Sequence, residues 1–129
     1  MSKPLALVIE DHEDHTIIFN NAFEMAGFET DVIIDGAVAQ RRLSETVPAV
    51  VVLDLHLPNV SGEALLHQVR ADERLAGTKV IVVTADEALA DKLIEGADLV
   101  LIKPVSFSHL RDLAQRFRAS IDASVDTSD

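Results

Sequence analysis

The chain has 129 residues, 48% of them apolar and 26% charged, which is about one domain with a single buried core. Its net charge of −11, with no cluster of Lys or Arg and with five Phe but no Tyr or Trp, argues against a nucleic-acid surface and removes stacking platforms for single strands. The absence of Cys excludes disulfides and thiolate metal sites, no apolar run nears the roughly 18 residues of a membrane span, and Met1 to Pro4 form no signal peptide, so a cytoplasmic setting is expected.

In chain order, the first apolar run is Leu5–Ile9, of strand type, and it ends in acid at Glu10-Asp11. A helix is expected from Asp11 or His12 to Ala26, with Ile18, Ala22, Met25 and Ala26 as its apolar side and Gly27 as a left-handed cap. Val32-Ile33-Ile34, within 28–34, reads as an outer strand before the Asp35-Gly36 turn. A short helix over 37–45 uses Val38, Ala39 and Leu43. The run Val50–Asp54 is apolar until its last residue, and Pro58 closes the stretch. Such a short, continuous apolar run is the mark of a strand buried on both faces of a parallel sheet.

Ser61 is placed to cap a helix over 62–72, which carries Leu65, Leu66 and Val69 inward. Lys79–Thr84 is the fourth strand and ends in a hydroxyl. A fourth helix over 86–95 is closed by Gly96. Leu99–Ile102 is the fifth strand and runs into Lys103-Pro104. Ser106 caps the last helix, with Leu110, Leu113, Ala114, Phe117 and Ile121 as one stripe. The tail, 122–129, is small and polar and expected to fray. Five strands alternating with five helices give a doubly wound parallel sheet in three layers, an α/β domain over 1–129 with its core in about 5–121.

Four strands deliver polar groups at their carboxyl ends: Glu10-Asp11, Asp54, Thr84 and Lys103. In an open α/β sheet that edge is where sites are built. Clustered carboxylates repel by about 1–4 kcal/mol per close pair at surface-like dielectric, so the cluster makes sense with a cation to hold. Oxygen-only donors select a hard ion, and a few carboxylates with water suit Mg²⁺. A metal beside Asp54, a hydroxyl at Thr84 and an ammonium at Lys103 would surround an incoming phosphoryl group.

These residues resemble the receiver domain of two-component response regulators. The marks are Val8-Ile9-Glu10-Asp11, Leu53-Asp54-Leu55-His56-Leu57-Pro58 with Ser61-Gly62, Val82-Val83-Thr84-Ala85, and Gly96-Ala97-Asp98 to Lys103-Pro104. The resemblance covers about residues 5–121 and implies a flavodoxin-like sheet of order 2-1-3-4-5. It implies that Asp54 accepts a phosphoryl group from a sensor histidine kinase or phosphotransfer protein, and that Mg²⁺ is held by Asp11, Asp54 and the backbone carbonyl of His56, with Glu10 acting through water. Thr84 and Lys103 would then bind the phosphoryl oxygens, and Lys103-Pro104 would be a cis peptide. Such a chain is a switch that assists its own phosphorylation and dephosphorylation rather than an enzyme acting on a separate substrate. The expected partners are the kinase and a downstream effector protein, with a homodimer allowed and no direct contact with nucleic acid or membrane. With no effector domain in sight, a stand-alone regulator is expected.

One position departs from the family pattern. Val100 stands where receivers usually carry Tyr or Phe, so the familiar inward swing of that ring is not available. This leaves as an alternative a phosphorylation-independent interaction module on the same fold. A haloacid dehalogenase-type phosphatase needs a second aspartate where His56 stands, and the acidic turn after the first strand would repel a flavin phosphate. His12, His15 and His56 invite a zinc reading but lack the usual set of ligands, and are expected to be solvent-exposed at the rim. His67 and His109, on helices, are given no role.

Overall fold

A computed structural model describes residues 3–93 and 95–126, with side chains to 121. Five strands, β1 (Leu5–Ile9), β2 (Glu29–Ile33), β3 (Val50–Asp54), β4 (Lys79–Thr84) and β5 (Leu99–Ile102), form one sheet in the order β2-β1-β3-β4-β5. Every pairing is parallel. The helices are α1 (Glu13–Met25), α2 (Gly36–Glu45), α3 (Gly62–Ala71), α4 (Glu87–Leu93) and α5 (Phe107–Asp126), with a single 3-10 turn at Glu73–Leu75. The flavodoxin-like fold and the strand order are those the family resemblance implies. No helix among the described residues is long and apolar enough to cross a membrane.

Successive side chains on a strand point to opposite faces, and this alternation divides the apolar runs between two cores. Leu7 and Ile9, Val51 and Leu53, and Val80 and Val82 pack under α2, α3 and α4, against Ala39, Leu43, Leu65, Leu66, Val69 and Leu93. Ala6 and Val8, Val50 and Val52, and Ile81 and Val83 pack under α1 and α5, against Phe19, Phe23, Leu110 and Ala114. Every residue of β3 is buried, which is why its run is apolar on both faces. Each fully buried Val or Leu contributes roughly 1.5–3 kcal/mol of transfer free energy.

The local differences from expectation have plain causes. α1 begins at Glu13 and buries Thr16, Phe19, Ala22 and Phe23, whereas Met25 is 63% exposed. Apolar residues cover more than one face of this helix, so two stripes compete, and the two phenylalanines bury more area than Ile18 and Met25 would. In β2, an edge strand, Val32 is exposed and only Ile33 is buried, and Ile34, just beyond the strand, is exposed as well. α4 is shorter than 86–95. α5 runs through Asp126, beyond its apolar stripe and into the expected tail, because no Gly or Pro stops it. Residues 94 and 127–129, which fall in the expected fourth helix and tail, lie outside the described residues.

Two glycines set the loop beneath the carboxyl edge. A Cβ at Gly62 would lie 2.4 Å from the Asp54 carbonyl oxygen, and one at Gly36 would lie 2.0 Å from that of Val60. Only glycine lets α3 and α2 approach these backbones so closely. Asn59, at φ 70°, adopts the left-handed conformation that asparagine tolerates, with its amide donating to the Asp35 carboxylate. Asp35 in turn caps α2 by accepting from Ala37 N (2.7 Å) and Val38 N (3.3 Å).

Candidate phosphoacceptor site

The strand register assembles the site. Ile9 pairs with Leu53, Asp54 with Val83, and Thr84 with Ile102. Glu10, Asp54, Thr84 and Lys103 therefore leave the sheet at one edge. Glu10 is fully buried, Asp54 is 4% exposed and Thr84 is fully buried, while Asp11 faces solvent. The Lys103-Pro104 peptide is cis.

One oxygen from each of Glu10, Asp11 and Asp54 lies within 4.8 Å of the others. Lys103 Nζ is 2.9 Å from Glu10 Oε1 and 3.6 Å from Asp54 Oδ2. Glu10 Oε2 accepts from the His12 backbone N–H at 3.2 Å, and Asp54 Oδ1 accepts from that of His56 at 3.1 Å. Burial, first, and a hydrogen bond with Glu10, second, push the Asp54 carboxyl up from its ordinary value to about 6. Lys103 pulls in the other direction, but one ammonium serves two buried carboxylates. With all three acids ionised and one lysine beside them, the cluster keeps two negative charges for a divalent cation. The ligand set is oxygen only, and its atoms lie within 4.8 Å of one another, near enough to surround one small ion. The residues fit that ion.

Thr84 Oγ1 accepts from the Asp86 backbone N–H at 3.1 Å, which leaves its own proton free to donate. Asp86 caps α4, accepting from Leu89 N at 3.1 Å through its carboxylate. Val100, on β5, pairs with Val82 of β4 and packs against the core under α3 and α4.

The histidines correct one expectation. His12 and His56 are exposed, but His15 is not an isolated rim residue. Its Nδ1 lies 3.1 Å from Lys103 Nζ and 3.2 Å from Glu10 Oε1, and its ring stacks on His12 with centroids 4.2 Å apart. Desolvation, then the neighbouring Lys103 and His12, hold the His15 imidazole below its usual value. Among the described residues, the group able to hold a metal consists of the three carboxylates and includes no histidine, so the zinc reading finds no site. The sequence carries no local sign of His15's role, since its partner Lys103 is 88 residues away.

A sheet of order 2-1-3-4-5 with acid after β1 and at the end of β3 and lysine after β5 defines the class, a doubly wound domain with an acidic cluster at its carboxyl edge. The family is then plain: the response regulator receiver domain matches residues 6–115, and this chain belongs to it. It is 33% identical to the probable methanogenesis regulatory protein FilR2 of Methanothrix harundinacea, over 88% of this chain and 81% of that protein. It is 34% identical to the phosphate regulon transcriptional regulatory protein PhoB of Rhizobium meliloti over 83% of this chain but 48% of that protein, so it spans about half of that relative's length. Among solved structures, the receiver domain of a response regulator from Methylobacillus flagellatus superposes with a TM-score of 0.77 at 31% identity, covering 90% of this chain and 99% of that one. Receiver domains are phosphoacceptor switches of two-component systems that bind Mg²⁺ at an acidic site and interact with sensor kinases and effectors. PhoB is a transcriptional regulatory protein, so the family gives no support to the exclusion of nucleic-acid partners read from net charge.

Proposed function

We propose that Asp54 accepts a phosphoryl group from the phosphohistidine of a sensor kinase or phosphotransfer protein, and that the product changes this chain's affinity for a downstream protein. The observation that carries the reading is a buried carboxylate at the end of the central strand, clustered with Glu10 and Asp11 and standing 3.6 Å from an ammonium. A carboxylate oxygen of Asp54 forms the bond to phosphorus as the phosphorus–nitrogen bond of the donor breaks. The electron pair returns to the donor imidazole, which takes up a proton. Asp11, Asp54 and the His56 carbonyl would hold Mg²⁺, with Glu10 behind them, and the ion when bound neutralises charge on the equatorial oxygens. Lys103 supplies a second positive charge 3.6 Å from Asp54 Oδ2, and the Thr84 hydroxyl donates to a phosphoryl oxygen while it still accepts from Asp86 N–H.

Val100 favours a second reading, an interaction module indifferent to phosphate, because β5 carries no ring to swing behind Thr84. The intact set of Glu10, Asp11, Asp54, Thr84 and Lys103 favours the first. Acetyl phosphate with Mg²⁺, followed by borohydride, decides between them. An acyl phosphate at residue 54 is reduced to homoserine there, and peptide mapping reads the change. Label at other residues with none at 54 would refute the assignment.

A further inference from the structure

Lys103 has three protons to give and no lone pair, and three acceptors surround it. Glu10 Oε1 is at 2.9 Å, His15 Nδ1 at 3.1 Å and Asp54 Oδ2 at 3.6 Å. The first two are hydrogen bonds and the third is too long to be one. Because an ammonium only donates, Nδ1 of His15 is the acceptor and Nε2 carries the ring proton. The 3.2 Å approach of Nδ1 to Glu10 Oε1 then follows from two acceptors sharing one cation. The ring itself is held from two sides, stacked on His12 at 4.2 Å and tilted against Phe19 at 6.3 Å. Beside it lies a cavity of about 170 Å³ lined by His15, Ile18, Phe19, Lys103, Pro104 and Val105. Packing alone therefore leaves the lysine stem room to move.

We propose that His15 is a positioning residue for phosphoryl transfer, tethering the Lys103 ammonium beside Asp54 but out of hydrogen-bond reach of its carboxylate, where it can donate to an oxygen of the incoming phosphoryl group. A flexible lysine head released from such a tether loses pre-organisation. With the tether gone, the ammonium keeps only its bond to Glu10 and swings toward the cavity, away from the place where it would meet a phosphoryl oxygen. The proposal deepens the Asp54 reading and rests on it.

The test compares His15→Leu, which keeps bulk without an acceptor, with His15→Asn, whose side-chain oxygen can take the place of Nδ1. The first readout needs no phosphate and no metal: the ¹⁵N–¹H signal of the Lys103 ammonium in metal-free buffer, assigned with Lys103→Met. The expected result is a protected signal in wild type and His15→Asn that is lost in His15→Leu. The second readout is phosphorylation by acetyl phosphate at saturating Mg²⁺. His15→Leu should be about tenfold slower, as befits one hydrogen bond to a charged group, and His15→Asn should recover most of the rate, with half-saturating donor unchanged in both. A protected ammonium and full rate in His15→Leu would overturn the proposal, as would a loss that asparagine does not repair. If folded wild type takes no phosphate and also fails to bind Mg²⁺, the Asp54 reading fails, while the ammonium signal alone still decides whether His15 tethers Lys103.

Discussion

The two edges of the sheet treat charge in opposite ways. At the amino edge, Asp98, Arg70, Thr78 and Arg74 all have partners. Asp98 accepts from Arg70 Nη2 and from the Val80 backbone N–H, both at 2.7 Å, and Arg70 also donates to the Gly96 carbonyl at 2.6 Å. Thr78 gives its proton to the Pro48 carbonyl at 2.7 Å. Arg74 reaches the Leu43 and Thr46 carbonyls across the base of α2. At the carboxyl edge, Glu10, Asp11 and Asp54 crowd together with a single lysine among them. The amino edge resembles a scaffold whose charges are already satisfied. The carboxyl edge stays under-compensated, and an under-compensated buried cluster is unfavourable unless something else binds there.

Changes at the two edges should therefore differ in size, in sign and in their response to Mg²⁺. The largest loss is expected from Lys103→Met, which leaves two buried carboxylates without their cation. Urea unfolding in chelator at neutral pH should show about 3 kcal/mol of destabilisation, and Mg²⁺ should restore part of it by binding the native state. An unchanged midpoint would mean that the lysine neutralises nothing.

Asp54→Asn should act with the opposite sign. The Asp54 carboxyl is raised from 3.8 to about 6, so the folded protein holds that proton more tightly than the unfolded chain does. Stability from this group is full below pH 4, is lost as pH rises from about 4 to 6, and stays lost above. In metal-free buffer at pH 7 the variant should be more stable than wild type by about 2 kcal/mol, reduced from the roughly 3 kcal/mol the shift implies, because Glu10 shares the effect. The gap should close by pH 4, and Mg²⁺ at pH 7 should narrow it. A gap independent of pH and metal would contradict the crowding described here.

Asp98→Asn tests the satisfied edge. It should cost about 1 kcal/mol, as expected for a half-exposed pair with Arg70, and the cost should be the same with and without Mg²⁺. The smallest effect is expected for Val100→Ala on chemistry. Its side chain packs under α3 and α4, so stability should fall by about 1–2 kcal/mol while the rate of phosphorylation stays within about twofold. A large loss of rate would couple β5 to the site by a route other than Thr84 and Lys103.

β1, β3 and β4 were legible because their short apolar runs are buried on both faces, and β3, buried at every position, was the most legible of all. The polar residues ending those runs were legible for the same reason, since a parallel sheet brings its carboxyl ends to one edge. Strand order came with the family resemblance and not from the pattern of residues. Helix facing was harder: in α1 the Ile18–Met25 and Phe19–Phe23 stripes differ by about a third of a turn, and only packing against β1, β3 and α5 chooses between them. The closeness of Lys103 to Glu10 rather than Asp54, and the placement of His15 against both, depend on distances between segments far apart in sequence. Nothing local in the chain encodes them.

The most direct measurement is intact mass after incubation with acetyl phosphate and Mg²⁺, for wild type and Asp54→Asn side by side. One added phosphoryl group on wild type alone, abolished by chelating the metal, is the predicted result. Equal mass gain on both proteins, or no gain on a folded wild type that also fails to bind Mg²⁺, would contradict the account.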